Sequence, residues 1–256
     1  MSQHLMKSET AQISILRTMR RWWSQAASVE GGLRATRRLV GVLWEFLRDS
    51  TPDRLRARFG DADYDWDHRV NTTSGAVGWR DRLLGMFHSA YQPTGPAAFG
   101  EMLEAVQLHA GDLREFTFVD IGSGKGRTLL MASDYPFRRI VGVELLPNLH
   151  HIAQENLSKY TSGAQRCFDL QSLIGDATTF VLPEDPLVLY LFNPLPDFAL
   201  RRVLANLEQS HRASNNPVYV LYHNPLLEHA LGEFPFLQRI ASAEQYLLWS
   251  NRKSIP

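Results

Sequence analysis

The sequence predicts an α/β protein: a doubly wound, mostly parallel sheet preceded by an N-terminal helical cap. Three observations carry that prediction. From Pro96 onward, short apolar runs alternate with segments of helical period, the pattern of strands joined by crossover helices. The apolar run 116–121 opens into a turn with glycine at every second position, Gly122, Gly124 and Gly126, as a strand does when it feeds a helix N-terminus. Before residue 60 the periodicity is helical and the charge strongly basic. A length of 256 residues holds one sizeable α/β domain with an appendage. The chain divides into 1–90, a helical cap and lid, and 91–256, the sheet domain.

The cap is read from spacing. Ile13, Leu16, Met19 and Trp23 recur at three- and four-residue intervals, as do Leu39, Val42, Leu43, Phe46 and Leu47. Glu30-Gly31-Gly32 separates the two helices, and Ser50-Thr51-Pro52 reads as an N-cap with proline at the first helical position. Residues 1–60 hold eleven basic against five acidic side chains, in a chain balanced at 27 and 27. Solvated arginines on a cap account for this more simply than a substrate-docking arm or a membrane-surface helix. Residues 61–78, where Asp61, Asp63, Asp65 and Asp67 alternate with aromatics, read as a polar loop covering a site. The glycine and glutamate positions of a calcium loop are missing, and no metal site is expected.

The sheet domain follows in order. A helix is expected at 96–110, a strand at 116–121, a helix at 126–134 and a strand at 138–144. Pro147 then starts a helix running to 160. Strands at 168–174 and 187–192 are joined by only a brief link at 178–182. A helix at 197–211, a strand at 218–222 and a short helix at 225–231 precede two final strands, 236–240 and 245–249, read as an antiparallel pair. Ligands of such sheets lie outside the carboxyl ends of the strands, where Asp120, Glu144, Asp176, Asn193 and His223 fall.

Glu144 follows Gly122 by 22 residues, about the spacing at which a doubly wound sheet presents a carboxylate to a ribose. A dinucleotide site asks for G-x-G-x-x-G. Here the third position is Arg127 and the glycine comes one residue early, at Gly126. Asp120 would also face a pyrophosphate and repel it. It suits a ligand with a cationic amino group and a sulfonium. Asp120-x-Gly122-x-Gly124-x-Gly126 resembles the first motif of class I S-adenosylmethionine (SAM)-dependent methyltransferases, in the bacterial form that reads GSGKGR. Ile174-Gly175-Asp176-Ala177, and then 187–192 running into Asn193-Pro194-Leu195-Pro196, resemble that family's adenine-contacting and fourth-strand motifs, in the right order. The resemblance covers roughly residues 91–256. The turn with Val141-Gly142-Val143-Glu144 is also similar to the non-SET histone lysine methyltransferases, in motif rather than in substrate.

The resemblance implies a seven-stranded Rossmann-like sheet with SAM as cofactor. Gly122, Ser123, Gly124 and Gly126 would bring backbone N–H groups to it, and Asp120 would meet its amino acid part. Glu144 would accept from both ribose hydroxyls and Leu145 would pack on the adenine. Asp176 would accept from the adenine amino group while the Ala177 N–H donates. Tyr91 and Thr94, with Val70 to Thr73, would close over the methionine moiety. Asn193 and Pro194 would hold an amine nucleophile, with His223 as a candidate general base. Lys125 and Arg127 are read as solvated or paired with nearby acids.

Leu195 and Pro196 depart from the [Asp/Asn/Ser]-Pro-Pro-aromatic motif of N-methyltransferases and remove the platform on which an extruded base would stack. An amine on a protein or small molecule is the favoured acceptor, ahead of nucleic acid. The rivals are a catalytically idle methyltransferase-fold interaction protein and a nicotinamide-dependent oxidoreductase. Cys167, the single cysteine, excludes internal disulfides and fits a reducing compartment. No apolar run approaches the length of a bilayer span, and a cytoplasmic location is expected.

Overall fold

The computed structural model describes residues 15–49, 62–73, 93–193, 195–212 and 214–252. Two helices, α1 (Ile15–Glu30) and α2 (Gly32–Asp49), form a hairpin. Gly31 turns it at φ 88°, donating its N–H back to the Ala27 carbonyl at 3.1 Å, a left-handed helix end that glycine adopts without a Cβ clash. A short helix, α3 (Ala62–His68), follows, and then α4 (Pro96–Ala110), which has its proline in the first turn.

The sheet has seven strands: β1 (Thr117–Ile121), β2 (Arg139–Glu144), β3 (Leu170–Ile174), β4 (Leu187–Phe192), β5 (Val218–His223), β6 (Gln238–Ser242) and β7 (Tyr246–Ser250), in the order β3-β2-β1-β4-β5-β7-β6. The first five run parallel, and β7 is inserted antiparallel between β5 and β6. β1 and β5 are buried at every position, which explains their near-continuous apolar sequences. One core layer joins Val119, Ile121, Leu189 and Leu191 to α7 (Asp197–His211) and α8 (Glu228–Gly232). The other joins Phe118, Tyr190 and Leu221 to α4 and α5 (Arg127–Ala132), while α6 (Pro147–Lys159) packs over β2 and β3.

The chain leaves β1 to one side through β2 and β3, then returns to the other side through β4. The β1/β4 boundary is therefore the switch point of the sheet, the place where sheets of this kind take their ligands, outside the carboxyl ends of the strands.

The expected strands and main helices form, with shifted ends. β3 begins at Leu170 rather than 168 because Phe168 stays in solvent, 78% exposed. The last two strands run one to two residues later than expected, and the short helix before them begins at Glu228. The expectation of an irregular loop over 61–78 is corrected for 62–68, which are helical. Asp63 and Asp65 in the first turn and His68 in the last complement the helix dipole. Residues 74–78, Ile13, Ser50-Thr51-Pro52 and the division at residue 90 lie outside the described residues. Among the described residues no helix is long and apolar enough to cross a membrane.

Candidate functional site

The turn after β1 is built from backbone that only glycine adopts easily. Gly122, Gly124 and Gly126 have φ of 78°, 56° and 82°, the left-handed region where a Cβ clashes. Gly122 and Ser123 both donate their N–H to the Val143 carbonyl, at 2.8 and 3.2 Å, which pins the turn to β2. A fourth glycine makes this contact close. A Cβ on Gly142 would sit 2.6 Å from Ser123 Oγ and 2.7 Å from Leu129 Cδ1. Among the described residues the buried Ser123 hydroxyl has no hydrogen-bond partner.

Two buried carboxylates flank the turn. Glu144 accepts from the Gly124 N–H through Oε2 and from the Leu146 N–H through Oε1, each at 2.8 Å. Asp120 accepts from the Thr128 hydroxyl. Burial pushes the Asp120 carboxyl up to about 7; the Thr128 bond opposes that shift, and the neighbouring Glu144 adds to it.

Lys125 and Arg127 turn inward. The reading of either as solvated is corrected, because each is almost wholly buried, while the pairing with a nearby acid holds for Arg127, which meets Asp65. Lys125 Nζ donates to the Thr73 carbonyl at 2.6 Å and to Asn71 Oδ1 at 3.1 Å. Arg127 Nε donates to Thr72 Oγ1 at 2.6 Å, its Nη2 lies 3.4 Å from Asp65 Oδ1, and its guanidinium rests 4.8 Å from the Tyr64 ring centroid. Asp65 in turn accepts from the Thr72 and Thr73 N–H groups. Asn156 on α6 completes the clamp by donating to the Asn71 and Lys125 carbonyls and accepting from the Asn71 N–H. The segment 62–73 is thus strapped to the outside of the glycine turn.

Across the switch point a buried polar chain runs from Thr94 through Tyr190 to His223. Thr94 Oγ1 and Tyr190 Oη are 2.8 Å apart, and Tyr190 Oη lies 2.8 Å from His223 Nδ1. Tyr190 stands opposite Asp120 in register. The His223 ring stacks on Phe192 at 4.0 Å, and burial pushes its imidazole down to about 4. Beyond the strand ends, Asn193 and Asn224 both adopt left-handed φ, 44° and 48°. The Asn193 amide donates to the Asn224 carbonyl and accepts from the Leu226 N–H, joining the β4 and β5 turns.

Of the residues expected from sequence, Asp120, Gly122, Ser123, Gly124, Gly126, Glu144, Thr94, Asn193 and His223 lie along the carboxyl ends of β1, β2, β4 and β5. Leu145 is half-buried beside Glu144. Asp176 and Ala177 sit beyond β3, where Asp176 Oδ1 accepts from the Thr178 N–H and hydroxyl at 2.8 and 2.7 Å. Tyr91 and Pro194 lie outside the described residues. The sequence reading missed Thr128, Gly142, Asn156 and Tyr190. The signal for Gly142 was a glycine inside an otherwise branched strand.

No protein-family model matches the sequence, and no curated protein matches it. Solved structures do. An RNA methyltransferase from Salinibacter ruber, in complex with S-adenosyl-L-homocysteine, is 22% identical over 64% of this chain and 96% of its own, with a TM-score of 0.45. A SAM-dependent methyltransferase from Leishmania major is 10% identical over 60% of this chain and 71% of its own, with a TM-score of 0.45. A precorrin decarboxylase from Methanobacterium thermoautotrophicum is 16% identical over 62% and 90%, with a TM-score of 0.41. The chemistry of the site is carried by its own residues.

Proposed function

We propose that this chain is a SAM-dependent methyltransferase acting on an amine of a protein or small molecule. The observation that carries the reading is the pair of buried carboxylates, Asp120 and Glu144, on either side of three left-handed glycines at the switch point. The residues fit the cofactor. The glycine turn keeps Cβ atoms away from an approaching ligand, and the Gly124 and Leu146 N–H groups hold the Glu144 carboxylate in place at the end of β2. Asp120, held partly protonated by burial, gains from an ammonium neighbour that favours its anion. The same buried acid works against a dinucleotide phosphate.

When bound, the cofactor supplies an electrophilic methyl group on a sulfonium. The chain's own residues then have positioning to do. Glu144 would fix the ribose, Leu145, Asp176 and Ala177 the adenine, and Thr94 the end that faces β4. His223 is neutral above about pH 4, so it serves as an acceptor that orients an amine rather than as a strong proton carrier. The Asn193 oxygen already accepts from the Leu226 N–H and would hold a nucleophile with its second lone pair.

That engaged amide, with Leu195 and Pro196 beside it, favours one second reading: a protein that binds SAM without turnover. Calorimetric titration with S-adenosylhomocysteine, with NADH as control, tests the first point. Micromolar binding, weakened at least tenfold in Glu144→Ala, is expected. No binding by folded wild type would remove both readings. Transfer of labelled methyl to an accepting amine separates the enzyme from the idle binder.

A further inference from the structure

The α1–α2 hairpin carries a surface that the site does not use. Its inner side is settled: Ala35 is fully buried, Trp23 Nε1 donates to Thr36 Oγ1 at 3.0 Å, and Arg38 lies 5.7 Å from the Trp22 ring centroid. Met19, Ala26, Leu39, Val42 and Leu43 are half-buried on that side. On the opposite side of α2, Leu33, Val40 and Trp44 are 89%, 60% and 67% exposed. Their spacing of seven and then four residues places them within about 20° of one line on a helix of 3.6 residues per turn. On α1, Leu16 is also exposed.

Basic side chains prevail around this surface. Arg17, Arg20 and Arg21 on α1 and Arg34 and Arg37 on α2 are exposed, and from 15 to 49 seven arginines stand against three acids, Glu30, Glu45 and Asp49. A second copy laid on the α2 line would set this basic excess against itself. A polynucleotide would neutralise the arginines but leave Leu33, Val40 and Trp44 against water. An anionic lipid surface satisfies both: headgroup phosphates meet the guanidinium groups, and the apolar line enters the headgroup–acyl boundary, where tryptophan is favoured.

We propose that the α1–α2 hairpin docks this protein on an anionic lipid surface through Leu33, Val40, Trp44 and the arginines beside them. The full chain is sedimented with vesicles of phosphatidylcholine, with and without phosphatidylglycerol. Binding only to the anionic vesicles, weakened by added salt, is expected. Arg34→Gln with Arg37→Gln, both exposed and harmless to folding, should lower it roughly thirtyfold, at about fivefold per basic residue. Vesicles with brominated acyl chains should quench tryptophan fluorescence, and less so in Trp44→Phe. Folded protein left in the supernatant overturns the proposal, as does equal binding to both vesicles unaffected by the double variant. A solution dimer that Val40→Glu dissolves, or binding to RNA without binding to vesicles, overturns it too.

Discussion

At Gly142 a side chain has no room, and at Asp120, its partner in register on β1, a charge has little solvent. Gly142→Ala places a methyl group 2.6 Å from Ser123 Oγ and 2.7 Å from Leu129 Cδ1, which neither a turn nor a packed leucine absorbs without shifting. The expected cost is at least about 1–3 kcal/mol of stability, read as a drop of several degrees in Tm; an unchanged Tm would mean the turn stands off β2. Asp120 makes a pH prediction. Its carboxyl titrates near 3.8 when unfolded and about 7 when folded. Between those values the folded state holds more protons, so this group's contribution is full below about pH 4 and is lost as pH rises through about 7. His223 has the opposite sign, since burial lowers its pKa from 6.5 to about 4. Its contribution is present above about 6.5 and is lost as pH falls through about 4. Asp120→Asn keeps an acceptor for Thr128 and removes only the first effect. The Tm of the variant relative to wild type should therefore climb between pH 4 and 7. A difference constant with pH would show that Asp120 is not desolvated.

At the scale of elements, the strap 62–73 is held by side chains from three separate places: Lys125 and Arg127 of the turn, Asn156 of α6, and its own Asp65. Asn156→Ala removes both hydrogen bonds to Asn71 and the one to the Lys125 carbonyl, a loss of about 1–3 kcal/mol locally. Trypsin should then cut after the exposed Arg69 faster than in wild type, with the cleavage elsewhere unchanged; equal rates at Arg69 would sever Asn156 from the strap. The same elements show why sequence reading succeeded where it did. Strands β1, β4 and β5 are mostly apolar because both faces are covered, and the glycine turn announces itself because left-handed backbone demands glycine. The burial of Lys125 and Arg127 was missed because their type suggests water, while their partners, Asp65 in the helix taken for a loop and Asn71, Thr72 and Thr73 just after it, lie more than fifty residues away. Thr94, Tyr190 and His223 meet only through the strand order, and no local pattern records that.

For the whole molecule, the consequence is unequal cooperativity. The sheet domain has an apolar core layer on each face, and its central strands have neighbours on both edges. Among the described residues the α1–α2 hairpin finds its principal packing partner in itself, and several of its large apolar side chains stay in solvent. Helices of that length are marginal without tertiary burial, so the hairpin belongs to the low end of the local-stability range and β1 and β4 to the high end. Hydrogen exchange on the native protein should show hairpin amides exchanging on the order of a hundredfold or more faster than those of β1, β4 and β5. Strap amides such as those of Thr72 and Thr73, bonded to Asp65, should fall between. Under the proposed function, S-adenosylhomocysteine should slow exchange in the glycine turn and leave the hairpin unchanged. Uniform protection from α1 to β7 would mean that the hairpin folds as one unit with the sheet. Protection of the hairpin on adding ligand would mean that the cap closes over the cofactor instead of standing apart from it.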